Sequence, residues 1–317
     1  MIASRATRAA AAHFVSSVFL VASVGGAVAA DQQNPPRSAG DAAAQLLSIV
    51  GFAGLPDVTA SRLNTGGTAA LDDQRIDVIR LANDISLGSG ENGGPRLYLE
   101  GNLGFARSTI DLRLGDTVQN DVTFDGLGAF GSIGPDFPVV EWLRFRPTFV
   151  LGLGYVDDDF GLPGEFSNDP TPGIDLRQFS GAIGAAASLD YERPFGGDFL
   201  DLRLKATYVH LGTLSTADAR FAGSTNNVTV NANAVYKYDT GFRPLGQRLL
   251  LTGLLGANSF LGDQERALGF SWFGEFGGGL ELDLAAMDAA VKRARVRVTG
   301  IAGDNVTGIS FGVGIGF

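Results

Sequence analysis

Cysteine is absent from all 317 residues. In an exported chain that absence removes disulfides, thiolate nucleophiles and Cys-ligated metals from consideration. No segment holds eighteen consecutive apolar residues, which excludes a membrane protein built from spanning helices. Basic side chains are scarce as well. Setting aside Arg5 and Arg8 of the first thirty residues, 22 basic side chains remain against 34 acidic ones. That balance disfavours nucleic acid or an anionic membrane surface as an electrostatic partner. Beyond residue 30 the only histidine is His210. No cofactor or metal is expected.

The amino-terminal residues 1–30 read as a secretory signal. Arg5 and Arg8 give a positive start, the run from Phe14 to Val21 is a short apolar core, and Ala27-Val-Ala-Ala30 supplies small residues for cleavage. Residues 31–56 read as an extended lead with one short helix over Ala43-Ala-Gln-Leu-Leu-Ser-Ile-Val50, placed in or below a lumen as a plug. Residues 57–317 form the remaining unit, and there period-two alternation takes over.

Leu97, Leu99, Leu103 and Phe105 share one face, with Arg96, Glu100 and Asn102 on the other. Leu143, Phe145, Phe149, Leu151, Leu153 and Tyr155 oppose Arg144, Arg146 and Thr148. Leu200, Leu202, Leu204 and Tyr208 oppose Asp201, Arg203, Lys205 and Thr207. Phe270, Trp272, Phe276, Leu280 and Leu282 oppose Ser271, Glu275 and Glu281. A helix cannot generate this pattern.

Segment length decides between two strand-rich architectures. Strands of soluble proteins run about 5–6 residues, whereas a tilted strand crossing a bilayer needs about 9–11. These segments fall in the second class, and a closed barrel is the strand arrangement that satisfies every backbone polar group within hydrocarbon. The expected fold is all-β: a transmembrane, antiparallel, up-and-down β-barrel. Ten strands are expected near 96–110, 121–133, 141–156, 175–191, 199–211, 226–239, 248–260, 266–283, 294–302 and 305–317. Weaker candidates at 57–65 and 74–88 raise the count from ten to twelve, an even number that returns both ends to one side. Short connections near 192–198 and 241–247 carry turn chemistry and belong on the side where the chain ends, and 284–293 allows one helical turn.

The chain ends GISFGVGIGF, with Phe311, Val313, Ile315 and Phe317 on one face and Gly or Ser between them. This stretch resembles the carboxy-terminal signal of bacterial outer-membrane proteins. The resemblance implies insertion by the barrel-assembly machinery into the outer membrane of a Gram-negative bacterium, after export through the periplasm. The layout over roughly 41–317 resembles the autotransporter-type barrel, with twelve strands and a short helix ahead of the first. About 25 residues separate the signal from the first candidate strand, so a solitary barrel without a passenger is expected. It would be a monomer surrounded by outer-membrane lipid and lipopolysaccharide.

The leading functional expectation is a non-enzymatic structural, interaction or limited-pore role. The lumen faces would carry a charge network of Glu100, Arg144, Arg146, Arg203, Lys205, Glu275, Arg295 and Arg297, gripping the amino-terminal helix or conferring anion passage as a small-solute channel. The enzymatic alternative is a lipid hydrolase using His210 on the lipid-facing wall. Gly212 stands where a His-x-Ser spacing would place the nucleophile. An outer-membrane Asp/His protease would need an Asp two residues before this His, and Tyr208 is there. Gly126-Leu-Gly-Ala-Phe-Gly131 spells G-x-G-x-x-G but lies within a strand, where glycines mark close packing or a bend. Asp157-Asp-Asp159, with Glu165, Asp169 and Asp175, reads as a solvated acidic loop.

Overall fold

The computed structural model describes residues 46–52, 59–65, 74–88, 94–114, 117–157, 177–284 and 293–316. The signal segment, the lead up to residue 45, the acidic loop beyond Asp157, the suggested turn within 285–292 and Phe317 lie outside the described residues.

Twelve strands follow a short helix, α1 (46–52). They are β1 (Thr59–Thr65), β2 (Gln74–Leu87), β3 (Arg96–Leu114), β4 (Thr117–Val140), β5 (Leu143–Asp157) and β6 (Gln178–Phe195). The second half holds β7 (Asp198–Thr216), β8 (Ser224–Asp239), β9 (Arg248–Gly262), β10 (Trp272–Asp283), β11 (Arg293–Gly303) and β12 (Val306–Gly316). Each pairs antiparallel with its neighbours in sequence, and β1 pairs with β12, which closes the barrel. Both weaker candidates therefore join the wall.

Several strands outrun their expected bounds by a few residues, as β7 does to Thr216, and two depart further. The β4 strand does not stop near 133 but continues through Gly134-Pro135 to Val140. Proline is tolerated there because the ladder to β5 is interrupted between Ile133 and Phe137, so no ladder bond needs its missing N–H on that side. The segment 266–283 is not one strand. Its start belongs to a second helix, α2 (Asp263–Leu268), and β10 begins only at Trp272. Gly262 (φ 73°) and the left-handed Gly269 (φ 82°) bracket α2 and turn the chain inward. In consequence Phe270 is buried inside while Trp272 faces outward, so the two do not share a face as the alternation implied.

The outer wall is apolar across its middle. Leu81, Leu103, Ile133, Leu151, Ile183, Leu255 and Phe276 are each about half exposed although large and hydrophobic, as lipid contact requires. One register row bounds this band: Arg62 opposes Asp77, Asp77 opposes Arg107, Arg107 opposes Asp125, and Asp125 opposes Asp157. Arg62 Nε lies 2.8 Å from Asp77, and Arg107 donates to both Asp125 oxygens at 2.8 and 3.0 Å. Tyr155 donates to Asp157 at 2.6 Å. From Asp77, the outward face of β2 runs ten residues down to Leu87, with Asn83 as the one polar side chain between them. At a rise of about 3.3 Å per residue and a tilt of about 40°, that interval spans about 25 Å, the height of a lipid-facing band.

Candidate functional site

The lumen has two halves. Towards the rim that carries the charge row, it is filled. Every side chain of α1 except the position of Gly51 is fully buried: Leu46, Leu47, Ser48, Ile49, Val50 and Phe52. A helix apolar all round is stable only when surrounded, and the wall supplies the surroundings. Phe52 meets Phe260 edge-on at 5.6 Å and Phe270 at 6.3 Å, while the Arg80 guanidinium lies 4.6 Å over its ring. Phe273 completes the aromatic cluster against Phe260 and Phe270. Ser48, the one polar side chain of α1, bonds to Thr225 at 2.8 Å and donates to Asn227 at 3.1 Å. From the rim, α2 folds in behind it, burying Gln264, Ala267 and Leu268, with Thr229 donating to Gln264 at 2.8 Å.

The wall makes room for α1 with glycine. A Cβ at Gly126 would lie 3.2 Å from Val50, and one at Gly128 would lie 3.1 Å from the Val50 carbonyl. A Cβ on Gly154 would overlap Val50 as well. Two glycines of the G-x-G-x-x-G string are thus a recess for a helix, in keeping with a close-packing reading of that stretch.

Towards the other rim the lumen is charged and open, with a cavity of about 630 Å³. Asp136 is its hub. Arg96 and Arg144 reach one carboxylate oxygen at 2.9 and 2.7 Å, and Arg146 reaches the other at 3.1 Å. Arg146 also lies 3.3 Å from Asp190, which accepts from Ser188 and from Arg203. Higher up, Lys205 donates to both oxygens of Glu100 at 2.7 and 2.8 Å, and Tyr98 and Asn102 donate at 3.0 and 3.1 Å. Lys237 bridges Asp201 (2.8 Å) and Glu281 (3.3 Å).

Of the lumen residues expected from sequence, Arg144, Arg146 and Arg203 thus meet through shared acids, and Glu100 and Lys205 pair with each other. Glu275 stands apart, accepting from Asn258 in an amide ladder with Asn231 and Asn233. Arg295 and Arg297 line the cavity from β11. Sequence reasoning missed Asp136, because the strand that carries it was ended at Ile133. Reading the alternation through Pro135 would have found it, since Asp136 keeps the parity of Ser132.

His210 sits on the outer wall. Its Nδ1 is 3.0 Å from Asn226 Oδ1, an atom that also accepts from Tyr208 at 2.9 Å. Asn226 is fixed in turn by its own N–H donating to Asp263 at 2.8 Å. Of the terminal-strand residues, Phe311 and Val313 face lipid and Ile315 continues β12. Ser310 turns inward and accepts from Ser61 at 3.0 Å. Outside the strands, Asp218 bonds to Arg220 and holds its guanidinium above the usual range.

These features define a class: a closed, twelve-stranded antiparallel barrel with a helix held in its lumen. No protein-family model matches the sequence, and no curated protein matches it. Among solved structures, the transport unit of the autotransporter AIDA-I from Escherichia coli aligns at a TM-score of 0.50 and 11% identity, over 89% of this chain and all of that one. The β-domain of the Bordetella autotransporter BrkA aligns at 0.49 and 13%, over 82% and 98% of the two chains. The translocator domain of NalP from Neisseria meningitidis aligns at 0.44 and 12%, over 82% and 85%. The fold is that of the autotransporter-type barrel.

Proposed function

We propose that this protein is an integral outer-membrane barrel of a Gram-negative-type envelope with a non-enzymatic structural or surface-interaction role, its lumen held shut by its own helix. On this reading residues 1–30 direct export, 31–56 supply the plug, and 57–317 are inserted by the barrel-assembly machinery as a monomer in lipid and lipopolysaccharide. The observation that carries the proposal is the apolar packing of α1 and α2 across the upper lumen. Burying five large side chains of α1 at about 1.5–3 kcal/mol each stabilises the closed state by on the order of 10 kcal/mol. A continuous water path for ions would have to break that packing.

Conductance in planar bilayers tests it. The chain with α1 in place is expected to pass no steady current. Equal, sustained current with and without residues 31–56 would overturn the plug; silence from both would end the channel alternative. The hydrolase alternative requires a hydroxyl within about 2.6–3.2 Å of the His210 base. The Nδ1 bond to Asn226 leaves Nε2 as the nitrogen that would act, and among the described residues no hydroxyl bonds to it; a lipid-hydrolysis activity lost on His210→Ala would revive that reading.

A further inference from the structure

The connection between β8 and β9 divides its side chains by polarity. Asp239, at the end of β8, accepts from Arg243 at 2.8 and 3.0 Å, from Arg248 at 2.9 Å and from the Gly241 N–H at 2.9 Å. Arg248 also donates to the Gly197 carbonyl at 3.1 Å, which braces this turn against the β6–β7 turn beside it. The two large apolar side chains stay out of the network. Phe242 is 62% exposed and Leu245 is 93% exposed. Leu245 also holds a left-handed backbone (φ 52°, ψ 27°), which glycine would adopt without strain.

The neighbouring turn shows that such bareness is not general. Both connections carry an Arg-Pro pair, as Arg193-Pro-Phe195 in one and Phe242-Arg-Pro-Leu245 in the other. In the β6–β7 turn the Arg193 guanidinium lies 5.1 Å over the Phe195 ring. In the β8–β9 turn Arg243 is drawn to Asp239 instead, and among the described residues no cation stacks on Phe242.

The bare pair is continuous with the lipid-facing wall. The Phe242 carbonyl accepts from the N–H of Leu249, which keeps the parity of the outward Leu251 on β9. Tyr236 and Tyr238 are exposed on the outward face of β8 just before the turn. Tyr236 donates its hydroxyl to Asp198 at 2.6 Å, at the rim. Apolar rings with polar tips mark the headgroup level of a bilayer, and Phe242 follows four residues beyond Tyr238.

We infer that this turn is an interfacial anchor, with Phe242 and Leu245 entering the phospholipid leaflet at the rim where the chain ends. The inference rests on the outer-membrane reading proposed above. Lipid already covers the adjoining wall, so one apolar medium accounts for both surfaces while the turn's charges gather on Asp239. Removal of the two side chains from water offsets the strain at Leu245.

The absence of cysteine lets one introduced cysteine carry one nitroxide spin label. The full chain is labelled in turn at Phe242→Cys, Leu245→Cys, Leu151→Cys and Glu141→Cys, in vesicles of phosphatidylethanolamine and phosphatidylglycerol. Leu151 is the mid-wall reference for lipid, and Glu141, exposed in the β4–β5 turn, is the reference for water at the same rim. Collisions of each label with oxygen and with a water-soluble nickel chelate are compared. The oxygen-to-nickel ratio at 242 and 245 is expected to lie several-fold above that at 141 and to approach that at 151. Because the label is itself apolar, the chain labelled at 242 is also given Leu245→Asp, which is expected to return the ratio towards the water value. An unmoved ratio in that variant would overturn the anchor. Water values at 242 and 245 beside a lipid value at 151 would overturn it too, and leave the barrel in its membrane. Shielding of both labels from both reagents would overturn it in favour of a protein cover, either residues 285–292 or a second copy. A water value at 151 would instead overturn the outer-membrane reading itself.

Discussion

The two ends of the lumen solve the same problem with opposite chemistry. Around α1 the inward-facing positions are mostly apolar or Gly, with uncharged Thr225 and Asn227 on Ser48, and Arg80 is the charged group stacked on Phe52. Around Asp136 the inward-facing positions are Arg, Lys, Asp and Glu, and the space stays hydrated. A barrel of this size must either fill its interior or wet it, and here one molecule does each in turn. The contrast teaches where rigidity resides. The upper half gains stability from burial of apolar area, whereas the lower half holds charges whose attraction is offset by the cost of taking them out of water.

The comparison breaks most sharply at Phe52. Phe52→Ala removes the ring shared by Phe260, Phe270 and the Arg80 guanidinium and leaves a cavity. A loss of about 3–5 kcal/mol is expected, read from urea unfolding in lipid vesicles. An unchanged midpoint would show that α1 does not support the upper lumen. Next comes Asp136→Asn, which leaves Arg96, Arg144 and Arg146 without their shared carboxylate. About 3 kcal/mol is expected by the same measurement. Closure of the upper half is expected to persist, visible as unchanged bilayer conductance.

A finer test is the double-mutant cycle of Glu100→Gln and Lys205→Met. Each single change strands one buried charge, so a favourable coupling of about 1–3 kcal/mol is expected. Additive losses would mean that the two side chains act independently and that the network is a drawing of proximity only. The smallest effect belongs to His210→Ala on the outer wall. It is expected to change stability by no more than about 0.5 kcal/mol, and a larger loss would place the Tyr208–Asn226–His210 cluster among the structural elements.

Much of the fold was legible along the chain, and particular residues show why. Leu97, Leu99 and Leu103 alternate with Glu100 and Asn102 because a pleated strand sends successive side chains to opposite faces. That is a local property, so it survives without any knowledge of neighbours. Strand number and the sign of each face follow from it. Asp136 was not legible, because Pro135 reads as a strand end until the broken β4–β5 ladder shows why it is tolerated. The α2 helix was not legible either. Phe270 and Trp272 keep a spacing of two across a turn, and the inward fold at Gly262 and Gly269 puts them on opposite sides of the wall.

The sequence by itself determined an alternating, even-stranded barrel with an apolar outside, a mixed-charge inside and a short apolar helix ahead of it. Tertiary structure alone decided that Gly126, Gly128 and Gly154 form the bed for Val50, that three arginines converge on Asp136, and that β1 closes the wall against β12. The physical reason is distance along the chain. Alternation is set within one strand, whereas a recess, an ion-pair hub and barrel closure are set by register between strands that can lie hundreds of residues apart, as β1 and β12 do.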